Sequence, residues 1–95
     1  MSRPKLTKFK VTDTFWKNFY KLSSDQKESV RKAWTIFKDD PFDPRLGTHV
    51  IKRLSSLRKG LVYSVWVEGD LRCLFEIKGD VVVTLNVGTH DIYKP

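Results

Sequence analysis

The sequence predicts an α+β fold of order β-α-α-β-β-β, with two N-terminal helices packed on one face of a mostly antiparallel sheet. Three observations lead there. Apolar residues of the first half recur at helical spacing, and those of the second half fall in short strand-like runs. The last three runs are separated by "EGD" and "KGD", three-residue glycine-containing loops of the kind that close β-hairpins.

The elements follow in chain order. "KLTKFKV" (5–11) alternates imperfectly and predicts a short first strand. Thr12 or Asp13 can cap a helix starting near Thr14, and the i,i+4 pairs Phe15/Phe19 and Trp16/Tyr20 give that helix a wide aromatic face. A second helix starts at "SSDQ", where Ser23 and Gln26 have capping-box spacing. Its Val30, Ala33, Trp34 and Phe37 form a core stripe at i, i+3, i+4, i+7. Pro41 and Pro44 stop it. The basic stretch "THVIKRLSSLRKG" (48–60) predicts little regular structure. Strands are expected at 61–67, 71–77 and 81–87. On the middle one Leu71, Cys73, Phe75 and Ile77 share one face, and Arg72, Leu74 and Glu76 the other. Because arginine is costly to bury, that second face is expected to be partly wet and open to a ligand.

Ninety-five residues suit one domain, 1–95, which buries only about 60–65% of its unfolded surface. With Cys73 the sole cysteine, an internal disulfide framework is excluded. Two histidines beside it give no zinc-ligand spacing, so neither metal nor other cofactor is expected. A reducing cytoplasm fits best. Met1 to Lys10 is basic without a following apolar segment, so no signal peptide is expected. No apolar run approaches the roughly 20 residues of a membrane-spanning helix. Eighteen Lys and Arg against eleven Asp and Glu give a net charge of +7, which suits a phosphate-rich or acidic partner, or simple solubility.

The groups able to exchange protons near neutral pH are His49 and His90, since histidine titrates near ~6.5. Cys73 is expected to point inward. Around the histidines in the sequence lie Lys52, Arg53, Arg58, Lys59, Asp70, Arg72 and Tyr93. This inventory suits metal-free RNA cleavage. A base takes the proton of a 2′-hydroxyl, that oxygen attacks the adjacent phosphorus, an acid protonates the leaving 5′-oxygen, and cations neutralise the phosphorane. The nucleophile is already attached to the substrate, so no metal is needed to deliver it. An aromatic side chain can stack on a base. Solvated loop histidines, a surface ion pair of Arg72 with Glu68 or Glu76, and a packing role for Tyr93 are the bland alternatives.

The stretches "FWKNFYKL", "DPFDPRLGTHVIKRL" and "YSVWVEGDLRCLFEIKGDVVVTLNVGTHDIY" together resemble the RelE/ParE toxin superfamily of bacterial toxin–antitoxin systems. The resemblance implies the RelE-like fold and endonucleolytic cleavage of mRNA in the ribosomal A site, without a cofactor. It also implies an antitoxin partner that covers the site, and operator binding only through the antitoxin complex. "DLRCLFEI" is similar to the strand whose arginine serves the scissile phosphate, which implies that role for Arg72. "VGTH" is similar to the ending of the YafQ-like ribonucleases and implies a catalytic His90. "HVIK" implies an acid or base at His49, "VEGD" an orienting carboxylate at Asp70, and the closing aromatic a nucleotide contact at Tyr93. Lys52, Arg53 and Lys59 are then expected to bind substrate phosphate. Which histidine is acid and which is base stays open. Two other readings remain: a ParE-like gyrase poison without nuclease activity, and a basic RNA- or protein-binding module.

Overall fold

The computed structural model describes residues 8–58, 60–89 and 92. The first strand, β1, is Lys8–Val11. Thr12 then takes extended geometry, and its hydroxyl accepts from the Phe15 amide, which starts α1 (Asp13–Phe19). Ser23 and Gln26 form the reciprocal capping box at the head of α2 (Ser24–Asp39). Of the expected α2 stripe, Val30 and Phe37 are buried, and Ala33 and Trp34 pack beside them.

Next, Asp43 caps a single 3₁₀ turn, Pro44–Leu46. Its carboxylate accepts from the Arg45 amide and side chain, and those hydrogen bonds hold its pKa down at about 2. Gly47 closes the turn at φ 56°, a left-handed geometry that a side chain would strain. The chain then enters β2 (His49–Val50), α3 (Lys52–Arg58), β3 (Val62–Glu68), β4 (Leu71–Lys78) and β5 (Val81–Gly88).

These strands form one sheet of order β1-β5-β4-β3-β2. β1 runs parallel to β5, and every other pairing is antiparallel. The expected α+β arrangement is present, with one correction. The 48–60 stretch is not irregular, because it holds β2 and α3. The second sheet face is partly wet, as expected, and α3 covers the rest. Leu54 of α3 packs over Val62 and Leu74, with Ile51, Leu85 and Ile92 around them. Leu74 and Glu76 are therefore buried, and among the described residues the part of that face around Arg72 and Trp66 stays open.

The first face carries the main core. Phe75 is fully buried between Tyr63, stacked at 5.0 Å, and Phe37, edge-on at 4.8 Å. Cys73 lies on this face as expected, and burial pushes its thiol up from 9.0 to about 12, because the thiolate would lose its hydration. The unfolded chain ionises that thiol near pH 9. The contribution to stability is therefore intact below pH 9 and is lost as pH rises toward 12. Cys73 is expected to resist a thiol reagent at pH 8 in the native protein and to react fully once the chain is denatured, as a colorimetric thiol assay would show.

Candidate functional site

The open part of the second face is crossed by one row of residues. Paired residues of adjacent antiparallel strands share a face. His49 of β2 pairs with Ser64 of β3, Trp66 lies two residues further along β3, Trp66 pairs with Arg72 of β4, and Arg72 pairs with Gly88 of β5. At ~4.8 Å per strand and ~3.4 Å per residue, His49 lies about 10 Å across the strands and about 7 Å along them from Arg72. The end of β5 lies one strand to its other side.

Local chemistry fixes each member of the row. The His49 Nδ1 is 2.9 Å from the Gly47 carbonyl oxygen. A carbonyl can only accept, so Nδ1 carries the proton, and in the neutral ring Nε2 is left as an acceptor facing outward from that bond. The 3₁₀ turn and a 2.6 Å hydrogen bond from the Thr48 hydroxyl to the Pro41 carbonyl hold the loop that presents it. Arg72 forms no ion pair with Glu68 or Glu76. Its Nη1 donates to the carbonyls of Gly69 (2.8 Å) and Leu71 (3.3 Å), while Glu76 pairs with Lys78. Its Nη2 and Nε keep their N–H groups unbonded among the described residues, so three of five donors are available to an anion.

Two β-bulges aim this row. One extra residue at Val67 separates the Trp66–Arg72 pair from the Glu68–Leu71 pair, and Leu85 is extra on β5 opposite Leu74 and Phe75. The second bulge is tied to α1. The Thr12 hydroxyl donates to the Leu85 carbonyl at 2.7 Å, and the Asn86 Oδ1 accepts from the Asn18 side chain and the Val87 amide. The helix cap thereby sets where β5 ends beside Arg72.

The sequence-predicted residues divide as follows. His49 and Arg72 lie in the row, on strands separated by β3. Asp70 is at the tip of the β3–β4 hairpin, adjacent in the chain to Gly69, whose carbonyl holds Arg72. Lys52 and Arg53 are exposed in the first turn of α3, just beyond β2. His90, Tyr93 and Lys59 lie outside the described residues. In the sheet, β3 and β4 stand between β2 and β5.

Sequence reasoning missed Trp66, which is 44% exposed in the middle of the row. Its signal was the alternation in "LVYSVWV", which sets Val62, Ser64 and Trp66 apart from the Tyr63/Val65/Val67 face. A cleft of about 380 Å³ opens on the opposite face among Phe15, Trp16, Phe19, Trp34 and Phe75, with the buried Thr84 hydroxyl at its wall. It shares no residue with the row. Among the described residues no group of three or more His, Cys, Asp and Glu could hold a metal, and no helix is long and apolar enough to cross a membrane.

The Ile92 amide donates to the Thr89 carbonyl, and the Ile92 side chain joins the Leu54 cluster. A Cβ on Gly88 would stand 2.6 Å from the Ile92 Cγ2. Gly88→Ala is therefore expected to displace Ile92 and to cost about 1–3 kcal/mol in urea unfolding, as overpacking does. An unchanged midpoint would mean that the tail yields freely.

The sheet thus carries two helices on one face and the row around Arg72 on the other. No protein-family model matches the sequence, and no curated protein matches it. Solved structures do. The chain is similar to the toxin–antitoxin complex DinJ–YafQ of E. coli at 14% identity, covering 95% of this chain and 99% of that one, with a TM-score of 0.70. The RelE–RelB complex of Pyrococcus horikoshii OT3 matches at 12% identity, covering 88% and 94%, with a TM-score of 0.68. A conserved hypothetical protein of Helicobacter pylori matches at 24% identity, covering 90% and 96%, with a TM-score of 0.61. The chain thus has the fold of the RelE/ParE toxins.

Proposed function

We propose that this chain is the toxin of a type II toxin–antitoxin system and cleaves mRNA on the ribosome by metal-independent acid–base chemistry. The observation that carries the reading is the position of Arg72. It stands between the strand bearing His49 and the strand end that leads toward His90, with three donors uncommitted. In phosphoryl transfer the attacking and leaving oxygens lie roughly in line, on opposite sides of phosphorus. A cation one strand from the end of β5 and two strands from the strand of His49 suits that geometry, with the second proton-transfer group supplied by the chain beyond β5.

In this reading the Nε2 of His49 takes the 2′-hydroxyl proton, because its Nδ1 bond leaves that nitrogen as acceptor in the neutral ring. His90 then protonates the leaving 5′-oxygen. Arg72 neutralises the phosphorane, whose charge is greatest in the transition state. Asp70 orients a neighbour at the hairpin tip. Lys52, Arg53 and Lys59 hold flanking phosphates, and Tyr93 contacts the nucleotide. The products are a cyclic phosphate and a 5′-hydroxyl.

The net charge of +7 and the antitoxin complexes among the similar structures support an acidic or mixed-charge antitoxin as partner, with operator DNA bound through that complex. The site of action would be the cytoplasm, where ribosomes are. The test is growth arrest and mRNA cleavage on programmed ribosomes for the parent, His49→Ala and His90→Ala. Each substitution is expected to lower the cleavage rate by about 10²–10⁴. Parent-like cleavage by both variants would overturn the site. Gyrase stalling with mRNA left whole would overturn the activity.

A further inference from the structure

We propose that Trp66 is a stacking platform for a base of single-stranded RNA, placed beside the phosphate held by Arg72. The inference rests on the RNA-cleavage reading above and adds a residue and a recognition mode to it.

Trp66 is 44% exposed on a sheet face that α3 covers elsewhere. Its ring is nonetheless fixed. The indole Nε1–H donates to the Gly69 carbonyl at 3.0 Å, and the same oxygen accepts the Arg72 Nη1 at 2.8 Å. One acceptor therefore sets the indole and the guanidinium relative to each other before any ligand arrives. That oxygen belongs to a hairpin turn in which Gly69 has φ 46°, a left-handed conformation that ordinary side chains strain to adopt. The base of the Trp66 side chain lies near Gly47, where an added Cβ would stand 3.9 Å from the Trp66 Cβ. Gly47 also supplies the carbonyl that orients His49. The ring is thus coupled through the Gly69 carbonyl to Arg72, and its hydrogen bond leaves less rotamer freedom to lose on binding.

The ligand class follows from the pairing. A flat aromatic surface beside a cation with uncommitted donors matches a base beside its phosphate, and every base has a face that can stack. A duplex would hide those faces in its own stack, so the geometry selects a single strand. Stacking of this kind tolerates sequence, so Trp66 contributes affinity and placement rather than base identity.

The experiment compares the full-length parent with Trp66→Leu and Trp66→Phe in cleavage of ribosome-bound mRNA. It also follows binding of a short 2′-O-methyl RNA single strand by fluorescence anisotropy, with thermal unfolding of each protein. Trp66→Leu is expected to weaken RNA binding by about 5- to 150-fold, the loss falling on KM more than on kcat. Trp66→Phe, which keeps a ring but not the N–H, is expected to recover most of that binding. If the parent cleaves and Trp66→Leu binds RNA as tightly, Trp66 is no platform. If the two variants lose activity alike, in step with a lower melting temperature, the indole is only a staple for the turn and the proposal is overturned. A parent that neither binds nor cleaves RNA would overturn the functional reading itself, and this inference with it.

Discussion

Arg72→Ala is expected to lower the rate of mRNA cleavage by about 10²–10³, the usual loss when a donor aimed at developing charge is removed. The fold should survive the change. Arg72 is half-exposed, it forms no ion pair among the described residues, and its hydrogen bonds go to two carbonyls at the hairpin end. Melting within a few degrees of the parent would therefore accompany the lost activity. Arg72→Lys should fall between the two, since an ammonium restores charge but not the planar fork that meets a phosphate with two donors. A single-turnover cleavage assay on programmed ribosomes separates the three proteins. Full activity in Arg72→Ala would remove the cation from the proposed centre.

The largest expected effect on stability lies on the opposite face. Phe75 is fully buried and touches the rings of Phe37, Phe42 and Tyr63. Phe75→Ala leaves a cavity where α2, the 3₁₀ segment and the sheet meet, and should cost about 3–5 kcal/mol. Domains of this size hold only about 5–15 kcal/mol in total. The melting temperature should fall by at least about 12 °C, since each kcal/mol shifts a domain this small by about 4–8 °C. Calorimetry checks this. A loss under about 1 kcal/mol would mean that the surrounding rings close over the gap. Because Phe75 and Arg72 lie three residues apart on opposite faces of β4, the pair separates stability from activity within one strand.

Much of the fold was legible because its signals are local. The Ser23–Gln26 box joins residues three apart, and the hairpin loops at Gly69 and Gly79 are set by their own left-handed geometry. The α2 stripe repeats at helical spacing. α3 was not legible, because "KRLSSLR" is seven residues with two leucines, too short to be helical by itself. Its order comes from Leu54 packing on Val62 and Leu74. The partly wet face expected from Arg72 is present, but the share that α3 covers was not legible for the same reason: periodicity tells which residues share a face but not what covers it.

For the candidate site, the sequence by itself determined the residue types and their strand assignments. It put histidine before the basic segment, arginine on an outward position of β4, and a glycine-threonine-histidine run after β5. Tertiary structure decided their relations. Strand order put β3 and β4 between the ends of β2 and β5, and the bulge at Leu85 set Gly88 opposite Arg72. That bulge is held by Thr12, 73 residues away in sequence. The shared Gly69 carbonyl turned Trp66 from one more strand aromatic into the partner of Arg72. Capping and turn formation depend on neighbours in the chain. Register, bulges and shared acceptors depend on contacts that exist only once distant segments have packed.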